Sequence, residues 1–244
     1  MSGARLDRFL DGRVEAWQPG TGFRSGLDAV LLAAGVPAKA GEAVLELGVG
    51  SGVAAMCLAA RTGAVVTGLE RHPEHAALAR RNGLDVIEGD VAAMPPPLRA
   101  RRFEHVMANP PFYDRRRGTR APDPAREDAL GEDVPLPVWI DAGLRRLAPR
   151  GTLTVILPAH RLGDGLRTLD DRAGSVRVLP VAPQEGRPAT RVLVQARKGG
   201  QAPLVLLPPF VLHGSDGALG HGDTHTDEAN AVLRGGGALP IGKI

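Results

Sequence analysis

From residue 41 onward the chain alternates between two hydrophobic periods, and this alternation constrains its fold more than any other feature. Short apolar runs of strand length occur at Ala43–Leu47, Ala64–Leu69, Asp85–Glu88, Phe103–Ala108, Thr152–Leu157, Ser175–Val181 and Arg191–Ala196. Ala- and Leu-rich stretches of helical length lie between them, at Val53–Arg61, Pro73–Asn82, Val138–Leu147 and Ala159–Asp170. Strands that alternate with helices pair in parallel, because each crossover helix must return over a sheet face. The pattern therefore predicts an α/β fold: a Rossmann-like, mostly parallel sheet with helices on both faces. Pro73 suits the first turn of its helix, where a missing N–H costs nothing. The last two strands are joined through Pro183, Gly186 and Pro188 with no helical stretch, which predicts a C-terminal antiparallel hairpin.

Outside this core, Leu27–Ala34 reads as a short apolar helix starting near Ser25 or Gly26. Asp114–Pro137 reads as a loop, and its length exceeds the usual limit of about 12–15 residues for a connection with no function. The tail contains a Pro-flanked apolar run, Leu204–Leu212, and a short helix at Asp227–Leu233.

A chain of 244 residues fits one domain with modest appendages. Its eight aromatic residues leave the core to Ala, Val and Leu. The single cysteine, Cys57, excludes a disulfide framework and Cys-rich zinc sites, and its Ala, Met and Leu neighbours predict a small buried hydrophobe. The N-terminus lacks the apolar core of a signal peptide, and no run reaches the ~18 apolar residues of a spanning helix. A soluble, cytoplasmic protein without membrane contact is expected. Of 30 basic residues 27 are Arg, and the net charge is +3, which mildly favours an anionic partner such as nucleic acid.

The first core strand runs directly into Glu46-Leu-Gly48-Val-Gly50-Ser-Gly52, and a helix follows. Glycines here let the backbone turn sharply and approach a ligand where a Cβ would collide. The second strand ends at Glu70, placed to accept hydrogen bonds from both hydroxyls of a ribose. NAD and S-adenosylmethionine both satisfy this geometry. The loop spacing is G-x-G-x-G, however, and a carboxylate at Glu46 would repel a pyrophosphate but suit a sulfonium or ammonium cation. Asp90 follows the third strand at the same carboxyl edge. It either accepts from the amine of a cofactor adenine or caps the next turn.

The fourth strand delivers Asn109-Pro110-Pro111-Phe112 to that edge. The two prolines stiffen the backbone and remove two N–H donors, so carbonyl acceptors predominate. Asn109 adds a side-chain acceptor, and Phe112 a flat ring on which a base can stack for ~1–3 kcal/mol. This set suits a planar substrate bearing an –NH2 group. The Asn109 Oδ1 and the Pro110 carbonyl would take its two hydrogens and draw the nitrogen toward tetrahedral geometry, freeing its lone pair for in-line attack on a methyl group. Positioning and electrostatics would carry such a reaction without a metal.

The motifs ELGVGSG, Glu70, Asp90 and NPPF, in this order, resemble class I S-adenosylmethionine-dependent methyltransferases that act on exocyclic or amide nitrogens. Phe23-Arg-Ser-Gly26-Leu-Asp28-Ala-Val-Leu-Leu, Arg191–Gly200 and the stretches Leu212-His213 and Thr226–Arg234 are similar to segments of the bacterial tRNA1(Val) adenine-N6-methyltransferase family. The resemblance spans roughly Phe23 to Leu233. It implies a seven-stranded sheet, an adenine beside the anticodon of a tRNA as target, and N6-methyladenosine as product. It also implies that Glu46, Gly48, Gly50 and Gly52 cradle the methionine part of S-adenosylmethionine, with Asp28 covering that end. Glu70 would hold the ribose, Asp90 the adenine, and Asn109, Pro110, Pro111 and Phe112 the target base, with Asn109 counted among the cofactor-binding residues as well. On this basis residues 1–40 form an N-terminal extension over the cofactor site, 41–200 the catalytic domain, and 201–244 a C-terminal extension packed on it. The chain departs from the family at His225, where an aromatic is expected.

Arg115, Arg116, Arg117 and Arg120 follow the tetrapeptide and are candidates for gripping RNA phosphates. His213, His221, His225 and nearby acids match no metal-ligand spacing, so a polar surface loop and no metal site are expected. The competing readings are methylation of ribosomal RNA adenine or of a protein glutamine amide, a NAD-binding oxidoreductase, and a non-catalytic RNA-binding module. Nothing in the sequence separates a monomer from a homodimer.

Overall fold

The computed structural model describes residues 3–111, 134–169, 172–214 and 225–242. The chain opens with a hairpin of β1 (Arg5–Phe9) and β2 (Val14–Gln18), followed by helix α1 (Leu27–Gly35). The core then runs β3 (Ala43–Leu47), α2 (Val53–Thr62), β4 (Val65–Glu70), α3 (Pro73–Arg81) and β5 (Asp85–Glu88). A 3₁₀ turn at Val91–Ala93 and a one-turn helix α4 (Pro96–Arg99) lead to β6 (Phe103–Ala108). Beyond it come α5 (Leu136–Arg146), β7 (Leu147–Pro158), α6 (Leu162–Leu169), β8 (Ala173–Gln184) and β9 (Arg191–Lys198). Two short strands, β10 (Val205–Leu206) and β11 (Phe210–His213), and helix α7 (Asp227–Leu233) complete it.

The main sheet is ordered β10-β8-β9-β7-β6-β3-β4-β5, with β11 also pairing β8. Strands β7, β6, β3, β4 and β5 run in parallel, while β9 is antiparallel to both β7 and β8. The seven expected strands and the antiparallel hairpin are thus present, and β10 and β11 extend the β8 edge in parallel. Because successive strand residues face opposite sides, Val44 and Met107 join one core while Leu45, Val106 and Ala108 join the other. Helices α1, α2, α3 and α7 cover the first face, and α5 with the flanking α4 and α6 covers the second. Cys57 is buried on the inner side of α2, as its neighbours predict, and burial pushes its thiol up to about 12, with Glu46 adding to the effect.

Several boundaries differ from expectation: β7 and β8 run well beyond Thr152–Leu157 and Ser175–Val181, β4 is shifted by one residue to end at Glu70, β9 continues to Lys198, and Leu147, expected at a helix end, opens β7. Helix α5 starts at Leu136 rather than Val138, with Pro137 in its first turn, where proline costs no hydrogen bond. Ala159–Asp170 divides into a 3₁₀ turn, Ala159–Arg161, and α6. The hairpin β1–β2 is an element that the periodicity does not announce. Among the described residues no helix is long and apolar enough to cross a membrane.

Candidate active site at the carboxyl edge of the sheet

Register places the chemistry-bearing residues in one row. Leu47 is opposite Ala108 on one side and Leu69 on the other, and Glu70 is opposite Glu88. The carboxyl ends therefore present Asn109, Gly48, Glu70 and Asp90 in that order across four adjacent strands. Three inter-strand steps of about 4.8 Å make the row about 14 Å long. Ligands of open α/β sheets bind outside this edge.

The three glycines of the loop share left-handed backbone angles, with φ of 67°, 57° and 93° at Gly48, Gly50 and Gly52. Their surroundings differ. A Cβ on Gly48 would lie 2.8 Å from the Trp139 ring, and one on Gly52 would strike Leu84 Cδ1. A Cβ on Gly50 would meet nothing within 4 Å. Gly48 and Gly52 thus answer to packing, whereas the space over Gly50 is open and large enough to admit a ligand. The loop is anchored by the Gly48 and Val49 N–H groups, which donate to the Leu69 carbonyl at 2.8 and 3.0 Å.

Glu70 is 5% exposed, and its carboxylate accepts from the Gly50 N–H at 2.8 Å and the His72 N–H at 2.9 Å. It joins the loop to the end of β4. Asp90 caps the 3₁₀ turn by accepting from the Ala92 N–H through Oδ1 at 2.8 Å, which leaves Oδ2 as an acceptor for a ligand. Capping and ligand binding therefore use different oxygens and are compatible.

Glu46 turns inward and is 3% exposed. It accepts from the Ala55 N–H in the first turn of α2, and its Oε2 has no hydrogen-bond partner. Burial, reinforced by the charge of Glu70, raises its carboxyl well above the usual range against the effect of the Ala55 bond. The unfolded chain ionises Glu46 near pH 4.5, and the folded chain only at higher pH. Stability from this group is therefore present below the unfolded value and is lost as pH rises through the folded one. Glu46→Gln is expected to be more stable than the parent at about pH 8, with the difference vanishing near pH 4. Urea midpoints of both proteins across that range check it, and a difference independent of pH would show that the effect is steric.

Asn109 is half-buried, and its side chain makes no hydrogen bond among the described residues. Pro110 is buried and Pro111 half-buried, so the backbone is held while the amide remains available. Phe112, Arg115, Arg116, Arg117 and Arg120 lie outside the described residues.

Asp28, in the first turn of α1, pairs with Arg191 at the start of β9, Nε to Oδ2 at 2.9 Å. This closes the N-terminal segment against the strand hairpin at the same edge. A second closure comes from residues that the sequence did not single out. Gln18 is 1% exposed, and its Oε1 accepts from the Ser25 N–H at 2.7 Å and from the loop hydroxyl of Ser51 at 3.3 Å. Its Nε2 donates to Asp7 Oδ2 at 2.7 Å and the Ser25 carbonyl at 3.1 Å. Asn82 exchanges hydrogen bonds with the Trp17 backbone at 2.8 and 2.9 Å and donates to the Ser51 carbonyl at 2.8 Å. Hairpin, glycine loop and α3 are thereby tied together. The His213 and His225 rings stack at 4.5 Å, and among the described residues no group of three metal-ligating side chains is assembled.

No protein-family model matches the chain. Among curated proteins it is 30% identical over 188 residues to the tRNA1(Val) (adenine(37)-N6)-methyltransferase of Actinobacillus succinogenes, covering 72% of this chain and 77% of that protein. The enzyme of the same name from Dickeya chrysanthemi is 29% identical over 199 residues, with 74% and 75% covered. Among solved structures, a predicted O-methyltransferase of Agrobacterium tumefaciens superposes with a TM-score of 0.69 at 26% identity, covering 87% of this chain and 97% of that one. A Thermus thermophilus 16S rRNA methyltransferase, solved with S-adenosylmethionine and guanosine, gives a TM-score of 0.55 at 22% identity, with 80% and 50% covered. The fold is that of class I S-adenosylmethionine-dependent methyltransferases. With most of both chains aligned at this identity, and Gly48, Glu70, Asp90 and Asn109 in one row along the sheet edge, the chain belongs to the tRNA1(Val) (adenine(37)-N6)-methyltransferase family.

Proposed function

We propose that the protein transfers a methyl group from S-adenosylmethionine to the exocyclic N6 of an adenine in tRNA, the adenine beside the anticodon of a valine-type tRNA. The observation that carries this reading is the row itself, with an amide that makes no hydrogen bond among the described residues at one end and two acids, Glu70 and Asp90, at the other. The names of the relatives supply the substrate class. A cytoplasmic enzyme follows from such a substrate.

The residues present fit the cofactor. The open space over Gly50 would admit its methionine part, Glu70 would take its ribose hydroxyls on the lone pairs that the Gly50 and His72 N–H groups leave, and Asp90 Oδ2 can accept from its adenine amine. S-adenosylmethionine supplies an electrophilic methyl group on a sulfonium. Gly48 and Gly52 shape the loop from behind, and Glu46 supports it through the first turn of α2. Asp28, held by Arg191, closes the methionine end, and residues 1–40 cover the cofactor while residues 201–244 pack on the catalytic domain.

At the other end Asn109 Oδ1 and the Pro110 carbonyl accept hydrogen bonds from the two N–H groups of the target amine, one of which gives up its proton to water once the N–C bond has formed. An aromatic amine is a weak nucleophile because its lone pair is delocalised. Two acceptors set off the ring plane favour a tetrahedral nitrogen and so raise its reactivity. Pro111 fixes the backbone, Phe112 stacks on the base, and Arg115, Arg116, Arg117 and Arg120 hold flanking phosphates. A hydroxyl acceptor would need a base to remove its proton, whereas this tetrapeptide offers only amide and carbonyl groups, which favours nitrogen as the acceptor atom.

Nucleoside mass spectrometry of tRNA fractions incubated with the protein and S-adenosylmethionine tests the proposal. N6-methyladenosine is expected in one valine fraction. Its absence from every fraction, or methylated glutamine in a protein substrate instead, overturns the reading.

A further inference from the structure

On the sheet face opposite α1 and α2, a groove of about 450 Å3 lies between the Val91–Ala93 turn, α4 and α5. Its apolar wall includes Met94, Pro96, Val138 and Ala142, and its charged lining is Arg99, Arg145, Arg146 and Asp141. One end begins at Val91, directly after Asp90 and thus at the catalytic edge. The other follows α5, whose 11 residues span about 16 Å, to the opposite edge of the sheet.

Cations crowd that far end. Arg146 is 8% exposed and donates through Nη1 to the Leu98 carbonyl at 2.9 Å and to the Arg99 carbonyl, which locks it under α4. Lys198 Nζ donates to the Leu144 and Leu147 carbonyls, both at 2.9 Å, and caps the C-terminus of α5. Burial lowers both groups, and the neighbouring charges of Arg102, Arg145 and Arg99 on Arg146, and of Arg102, Arg146 and Arg172 on Lys198, lower them further. The one acid lining the groove among the described residues, Asp141, bridges Arg145 at 2.8 Å and Arg172 at 2.6 Å. Among the described residues the groove lining thus sets three cations, Arg99, Arg145 and Arg146, against one carboxylate, with Arg102 and Lys198 close beside Arg146. Arg99 and Arg145 remain exposed, and a guanidinium fork matches phosphate oxygens better than it matches water.

We propose that this groove is a phosphate track for RNA, along which the backbone of a substrate engaged at the catalytic edge continues toward Arg99 and Arg145. The proposal rests on the reading of an RNA substrate. Continuity with the edge and the excess of arginine over acid favour a polyanion that already lies across that edge.

The test is fluorescence anisotropy of a labelled tRNA transcript titrated with the protein over a range of salt, without S-adenosylmethionine. Arg99→Ala/Arg145→Ala is expected to raise Kd about tenfold and to reduce the slope of log Kd against log salt by about 1.5, since each lost phosphate contact removes close to one counterion. Arg5→Ala/Arg8→Ala, which removes the same charge from the exposed hairpin strand β1, should leave that slope unchanged. Binding by the groove variant within twofold of the parent, or an equal loss in the hairpin variant, overturns the proposal. Methyl transfer is scored separately. A parent protein that makes no N6-methyladenosine while the groove variant loses RNA affinity would refute the proposed reaction and uphold the track. Normal methylation with unchanged RNA binding would do the reverse.

Discussion

Replacing Asn109 with alanine is expected to lower kcat for methyl transfer about 10³-fold while leaving the fold and the affinity for S-adenosylhomocysteine unchanged. The two halves of this expectation come from one observation. The Asn109 side chain makes no hydrogen bond among the described residues, so its removal strands no buried partner and the thermal midpoint should hardly move. The cofactor contacts proposed at Gly50, Glu70 and Asp90 lie on other strands, so affinity for S-adenosylhomocysteine should survive as well. What is lost is an acceptor whose bond strengthens as the amine becomes tetrahedral, and that loss falls on kcat more than on KM. Asn109→Asp keeps an acceptor oxygen in nearly the same place and should retain more activity than alanine. Single-turnover rates for the parent and both variants, with Kd for S-adenosylhomocysteine, check this. Alanine activity within tenfold of the parent would remove Asn109 from the proposed chemistry.

The row of Asn109, Gly48, Glu70 and Asp90 was legible in the sequence because each member ends or shortly follows a segment of strand length. Ala43–Leu47, Asp85–Glu88 and Phe103–Ala108 appear in the structure with the expected bounds. Parallel pairing then aligns their ends without further information. The glycines were less legible. Gly48, Gly50 and Gly52 look equivalent in a motif, and only the packing of Trp139 and Leu84 shows that two of them face protein. Glu46 gave a similar problem, since a carboxylate in a loop motif suggests a ligand and nothing local shows that α2 receives it.

The hairpin β1–β2 escaped because β1 carries three charges in five residues and buries none fully, while β2 alternates over only five residues with the polar Gln18 on its buried side. A local signal was present in Asp11-Gly12, a favoured hairpin turn pair, and Leu10 and Asp11 do adopt φ of 50° and 56° there. The short strands β10 and β11 pair in parallel with β8 across the tail, a non-local contact that no local pattern encodes.

That hairpin supports the second large effect. Gln18→Ala is expected to cost about 3 kcal/mol of stability and to weaken S-adenosylhomocysteine binding about tenfold. Gln18 is buried and satisfies four groups at once, the Ser25 N–H and carbonyl, the Ser51 hydroxyl and Asp7. Truncation leaves these groups without that partner, with Ser51 only 4% exposed and the others partly buried, and a buried polar group so stranded costs about 1–3 kcal/mol. The loss of affinity has a separate cause. Ser51 lies between Gly50 and Gly52, so freeing it on one side loosens the loop proposed to receive the ligand on its open face. Asn82 still holds the Ser51 carbonyl, which limits the effect to roughly one order of magnitude. Gln18→Met separates the two terms, because it refills the volume without restoring any hydrogen bond. It should recover part of the stability and none of the affinity. Urea denaturation and calorimetric titration with S-adenosylhomocysteine measure both quantities. A Gln18→Ala protein that is destabilised yet binds the ligand as the parent does would show that the hairpin packs on the loop without governing it.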